Sequence, residues 1–159
     1  MKRNTLLGFL VPLLVILHFL FHVGFSLEGT APDLLTLALL LAARETGMGW
    51  GGALGFVFGL LEDAFSILAF GASSLAMTVV GILGSRTRDL FVGDSLLFLF
   101  VYLGSGKLLR DLIHWVAAGE AVRGPFVNTV VIEGGIAAVY LALVGLLLAL
   151  IFGGNRALR

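Results

Sequence analysis

The chain has 159 residues, of which 59% are hydrophobic and 13% are charged, and its mean hydropathy is +1.09. These values lie far outside the range of soluble domains and predict an integral membrane protein. Ten basic and ten acidic residues give a formal net charge of zero, so there is no basic surface that would favour nucleic acid. The absence of cysteine excludes disulfides and thiolate chemistry. We expect one membrane domain over residues 1–159 and no separate soluble domain.

Six apolar segments predict an all-α membrane protein with six transmembrane helices. The first segment follows a positive start, and no cleavage site typical of a signal peptide comes after it, so we expect an uncleaved helix. The second segment is short for a full span, and the fifth becomes amphipathic in its second half, where a tilt or bend is expected. The expected spans are residues 5–25, 31–43, 50–66, 70–85, 94–118 and 125–152.

The basic residues that flank these segments predict how the helices are oriented. With a cytoplasmic amino terminus, more basic residues fall on the cytoplasmic side than on the outer side, in agreement with the positive-inside rule. Both termini are then cytoplasmic. The cytoplasmic residues are Lys2, Arg3, Arg44, Arg86, Arg88, Arg156 and Arg159, and the outer residues are Lys107, Arg110 and Arg123.

The third segment carries a narrow face of small and polar residues. Small residues spaced four apart allow membrane helices to pack closely, so this face is expected to contact another helix. The fourth segment offers a matching face of Ser74, Thr78, Gly81 and Ser85. At 100° per residue, the residues that fall together on the third segment are Gly52, Gly55, Gly59, Asp63 and Ser66.

The sequence allows two interpretations of Asp63. It is either a structural tie that accepts hydrogen bonds at the turn between the third and fourth helices, or a ligand or proton site. A pair of carboxylates alone does not make an acid/base site, because that chemistry also needs a substrate cavity and a partner with a displaced pKa. Glu62 lies about 100° away on the helix and is expected to reach the outer headgroups.

The run from Gly55 to Leu75 resembles the signature of the MreD family, the small rod-shape-determining membrane proteins of bacteria. That signature is G-F-x-x-G-L-L-x-D-x-x-S-x-x-x-x-G-x-x-x-L, and Pro-Asp-Leu-Leu at residues 32–35 also fits the family. One departure is visible, since Ile67 and Leu68 follow the serine where the family often has a glycine. The matching residues are Gly55, Phe56, Gly59, Leu60, Leu61, Asp63, Ser66, Gly71 and Leu75.

The resemblance implies a non-enzymatic scaffold of the bacterial elongation complex, which determines cell shape and builds lateral peptidoglycan. The implied direct partner is MreC, a single-span periplasmic protein, and through it the MreB filament, the RodA glycosyltransferase and its partner transpeptidase. The implied location is the bacterial inner membrane, in contact with lipid, and no cofactor is implied. The implied fold is similar to the substrate-binding membrane subunits of energy-coupling-factor vitamin transporters, so such a subunit is the alternative function.

On this interpretation, the helix-packing and outer-turn motif consists of Gly52, Gly55, Gly59, Asp63, Ser66 and Gly71. The amphipathic half of the fifth helix is the expected partner surface, because Lys107, Asp111 and His114 share one face and Trp115 adds an interfacial anchor. The alternative is that this segment rests on lipid headgroups.

Glu133 lies about eight residues into the last helix and is expected to face the bundle, either in a helix contact or lining a cavity. His18 and His22 have a spacing that can hold a metal, but no cysteine and no nearby carboxylate completes the site, so no metal is expected. Known metalloprotease, lipid-phosphotransferase and hydrolase motifs are absent from the sequence, so we do not expect an enzyme.

Overall fold

The computed structural model describes residues 3–21, 32–66, 68–87, 95–120 and 122–153. Every regular element within these ranges is helical, which confirms the prediction of an all-α chain. A π-helical segment, Val127–Glu133, leads directly into the last helix. The α-helices are α1 (Arg3–Phe19), α2 (Leu34–Ala43), α3 (Met48–Asp63), α4 (Ala72–Arg86), α5 (Leu96–Ala117) and α6 (Gly134–Gly153).

The shortest helix, α2, lies at the centre of the bundle. Its ten residues span only about 15 Å. It is apolar on all sides, and a helix of that kind is buried on all sides; α2 accordingly contacts α1, α3, α4, α5 and α6. Asp33 caps its first turn, because one carboxylate oxygen accepts from the Thr36 amide at 3.0 Å and the other from the Thr36 hydroxyl at 2.7 Å.

Four of the other helices form two antiparallel hairpins, α3–α4 and α5–α6, and α1 packs against α2. In the first, Gly59 of α3 lies against Ser74 of α4, and Gly51 lies against Gly81. In the second, Gly134 of α6 approaches Asp111 of α5, and Gly145 approaches Leu103. In both pairs the residue numbers rise on one helix as they fall on the other, which is the antiparallel arrangement that short connections favour.

The helix ends differ from the predicted spans in places. α1 ends at Phe19 and continues as a π turn through Phe21; the rest of its predicted span lies beyond the described part of the chain. α5 is one continuous helix to Ala117 rather than bending. Its basic residues are held by partners inside the bundle, so the helix does not need to turn towards the surface. The basic residues Lys2, Arg88, Arg156 and Arg159 are not among the described ones.

Some charged side chains are buried and many large apolar side chains are exposed, which departs from the usual pattern for a soluble protein. Asp63 is 1% exposed and Lys107 is 6% exposed, whereas Trp50 and Leu97 are each 73% exposed. Among the described helices, one is long and apolar enough to cross a membrane: the 25-residue stretch Val127–Ile151. The short apolar helices are the part of α1 from Gly8 and the whole of α2.

Candidate functional site

The α3–α4 hairpin packs through glycines that come very close to the α4 backbone. A Cβ atom at Gly55 would come within 3.0 Å of the Met77 carbonyl group, and one at Gly59 would clash with the Ser74 backbone. The predicted contact between these two small-residue faces is therefore present. Gly52 meets only the Ile82 side chain, and its place in the backbone contact is taken by Gly51.

Asp63 lies at the end of this hairpin and accepts three hydrogen bonds from the first turn of α4. Its Oδ1 accepts from the Ser73 amide at 3.0 Å, and its Oδ2 accepts from the Ser74 amide at 2.9 Å and the Ser74 hydroxyl at 2.6 Å. The first amides of a helix have no partner within the helix, and the positive end of the helix dipole favours an anion there. Asp63 thus caps α4 from the neighbouring helix, as the structural-tie reading predicts.

The turn between α3 and α4 uses two further residues of the sequence motif. The Ser66 amide donates to the Asp63 carbonyl at 3.0 Å and closes the first part of the turn. Gly71 precedes α4 with φ of +92°, in the left-handed region where a side chain is strained. Together with the Asp63 cap, these contacts fix how α4 leaves the turn.

A buried ion network joins α2, α3 and α5. The Lys107 ammonium lies 2.5 Å from Asp111 Oδ1 and 3.3 Å from Asp33 Oδ2. The Arg110 guanidinium contacts Glu62 through Nη2 and lies 3.1 Å from Asp111 Oδ1 through Nη1. The start of α2 and the end of α3 are thereby both connected to the middle of α5.

The network holds three carboxylates against two cations, for a formal charge of −1. Its cations are buried, with Lys107 6% and Arg110 9% exposed. Two buried polar atoms, Glu62 Oε2 and Arg110 Nε, have no hydrogen-bond partner among the described residues. Because buried charges are costly unless paired, these contacts restrict the relative positions of the three helices.

Lys107 and Asp111 do not form the partner surface that was predicted on α5. Both side chains face the bundle interior and pair with each other there. His114 is half-buried one helical turn beyond Arg110. Trp115 donates through Nε1 to the Gly124 carbonyl at 3.0 Å and so holds the loop that follows α5. Lys107, Arg110, Asp111 and Trp115 therefore make contacts within this chain.

Glu62 also departs from its prediction. It was expected to reach the outer headgroups, but its carboxylate turns towards α5 and pairs with Arg110. The helical periodicity of α3 gives the direction of a side chain relative to its own axis, and it does not reveal that a cation from a distant segment lies there.

Glu133 faces the outside of the bundle rather than the interior. It accepts a hydrogen bond from the Asn128 amide at 2.6 Å, and both side chains are exposed. Glu133 is the last residue of the π-helical segment, in which backbone hydrogen bonds join residues five apart rather than four. This local change of register turns the glutamate outward beside the residue five positions earlier.

The expectation that His18 and His22 hold no metal stays a prediction. The His18 ring makes an edge contact with Phe19, with ring centroids 5.3 Å apart, whereas His22 is not described. No group of three or more potential metal ligands occurs in the described ranges.

Sequence reasoning missed the full ion network, although a signal was available. The predicted topology already places the start of α2, the end of α3 and the second half of α5 on the same side of the bundle. Five charged residues in one such layer indicate pairing, because unpaired charges at that depth are costly. The assignment of each pair still required the packing angles of the helices.

These groups can hold helices in fixed relative positions. Asp63 uses both oxygens in capping α4, and the network residues use their charges on one another. Comparisons of the chain with known protein families, with curated proteins and with solved structures returned no match.

Proposed function

We propose that the chain is a non-enzymatic membrane scaffold of the MreD type, working in the bacterial elongation complex. Its direct partner is an MreC-like protein, and through that partner it supports cell-shape determination and lateral peptidoglycan synthesis with MreB, RodA and the associated transpeptidase. It resides in the inner membrane as a multi-pass protein.

The location is supported by the distribution of side chains. Large apolar residues cover the exterior, including Leu97 on α5 and Ile151 on α6, while cations and carboxylates pair inside. Lipid is the solvent that accepts such an exterior without penalty. Gly134–Gly153 is long enough, at 20 residues and about 30 Å, to cross the hydrocarbon core.

The α3–α4 hairpin is the observation that carries the scaffold proposal. Four of the residues that carry the MreD resemblance have a packing or backbone role: Gly55 and Gly59 allow close approach, Asp63 caps α4, and Gly71 adopts a left-handed turn. These four residues fix one hairpin, as a rigid docking platform requires.

A vitamin-transporter subunit is the second candidate, and one observation favours it. Glu62 Oε2 and Arg110 Nε are buried without a partner among the described residues. A polar ligand that both accepts and donates a hydrogen bond would satisfy them.

Affinity purification in mild detergent, with mass spectrometry of everything that is retained, separates the two functions. The scaffold proposal predicts recovery of a single-span MreC-like protein at a constant ratio to the chain. Recovery of ATPase subunits together with a bound vitamin would contradict it. An unrelated multi-pass protein carrying the same tag controls for proteins that bind the resin or the micelle.

A further inference from the structure

Glu133 differs from the network carboxylates in what surrounds it. Asp33, Glu62 and Asp111 each pair with Lys107 or Arg110 inside the bundle. Glu133 is exposed, and the partner that the described residues offer it is the neutral amide of Asn128. An amide can donate a hydrogen bond, but it does not neutralise the charge.

The surroundings of Glu133 are apolar. Val131, Ile132 and Ile136 are exposed beside it, and Ile136 is 68% exposed. Glu133 lies near the amino-terminal end of the stretch Val127–Ile151, which is long and apolar enough to cross a membrane. A charged carboxylate among such side chains is costly unless a cation lies next to it. A positive group beside Glu133 would therefore stabilise its charge, and the described part of the chain does not supply one at this position.

An exposed apolar stripe continues from Glu133 along α6. At 100° per residue, Ile136, Tyr140, Leu143 and Leu147 of α6 lie within a quarter turn of one another, and all of them are exposed. The stripe extends over about 21 Å, which is the length over which a second helix can pack.

We infer that Glu133 and this stripe dock a membrane-spanning helix of a partner that carries a lysine or arginine near its outer end. The stripe supplies the contact along the helix, and the carboxylate pairs with the cation at its upper end. Asn128 positions the carboxylate by its hydrogen bond of 2.6 Å. A π-helical segment is a local departure from the α-helix that is often found at functional sites.

This inference rests on the proposed function, because it gives the scaffold's partner a place to bind. The surface formed by Glu133 and the α6 stripe takes the place of the amphipathic face of α5 as the expected partner surface, because the charged residues of α5 pair inside the bundle.

The test is co-purification of the full chain with the MreC-like protein of the same cell, with the partner measured by quantitative mass spectrometry. Glu133→Gln keeps the shape and removes the charge, and we expect partner recovery to fall roughly tenfold. Glu120→Gln, at an exposed carboxylate in the loop after α5, is the matched control and should change nothing. Glu133→Lys should lose the partner, and a partner whose outer cation is changed to glutamate should restore the complex.

Undiminished recovery with Glu133→Gln would overturn this inference and leave the scaffold proposal standing. Failure of the unchanged chain to retain any MreC-like protein would overturn both. Bound lipid that changes with Glu133→Gln while partner recovery does not would assign the carboxylate to an amine headgroup, and this too overturns the inference. Unfolding in titrated detergent checks that the Glu133→Gln variant is folded under the conditions of the purification.

Discussion

Replacing Asp63 with alanine is expected to lower the free energy of unfolding by about 3 to 5 kcal/mol. The carboxylate is 1% exposed, and its removal leaves the Ser73 and Ser74 amides buried without an acceptor. Asp63→Asn should lower the free energy of unfolding by about 2 kcal/mol, because the asparagine oxygen still accepts a hydrogen bond while its NH2 group faces other donors. The measurement is unfolding in mixed micelles titrated with denaturing detergent.

Glu120→Ala is the control for this pair of variants, since it removes an exposed carboxylate and should change stability by less than about 0.5 kcal/mol. If Asp63→Ala were as stable as Glu120→Ala, the cap would not hold α4. If Asp63→Asn were as stable as the unchanged chain, charge would be unimportant at this position.

Arg110→Met is expected to destabilise the fold by about 3 to 5 kcal/mol. The change removes the guanidinium that pairs with the carboxylates of Glu62 and Asp111, so their negative charges lose this partner. Adding Glu62→Gln should recover part of the loss, with a coupling energy of about 1 to 3 kcal/mol in a double-mutant cycle. The same detergent titration measures all three variants.

Arg86→Met serves as the control for the loss of a basic residue, since Arg86 is exposed at the end of α4 and the change should cost less than about 0.5 kcal/mol. Additive losses for Arg110→Met and Glu62→Gln would show that the two side chains do not interact. An Arg110→Met variant as stable as Arg86→Met would contradict the network itself.

The sequence was informative wherever one helix determines the answer. The spacing of Gly55 and Gly59 predicted the close face of α3, since helical periodicity fixes which residues share a face. Gly52 is buried against the Ile82 side chain of α4, but the prediction omitted Gly51, which makes the contact with the α4 backbone. The spacing of four that joins Gly51 to Gly55, Gly59 and Asp63 identifies the correct residue, because each step repeats the same rotation.

The sequence was less informative wherever the answer depends on two helices or on irregular backbone. The direction of Glu62 depends on where Arg110 lies, 48 positions further along the chain. The outward position of Glu133 depends on a π-helical segment, and regular periodicity cannot anticipate one. The central place of α2 was only hinted at by its length, since a helix too short to cross a membrane has to be covered by others.

The central proposal is that this bundle crosses the membrane several times, with the Asp63 turn and the loop after α5 on the outer side. The natural chain has no cysteine, so single cysteines report the side on which they lie. Leu68→Cys and Glu120→Cys should react with an impermeant maleimide on intact spheroplasts, and Met48→Cys and Ser95→Cys should react only after permeabilisation. Reaction of all four in intact spheroplasts, or of none before permeabilisation, would contradict the account.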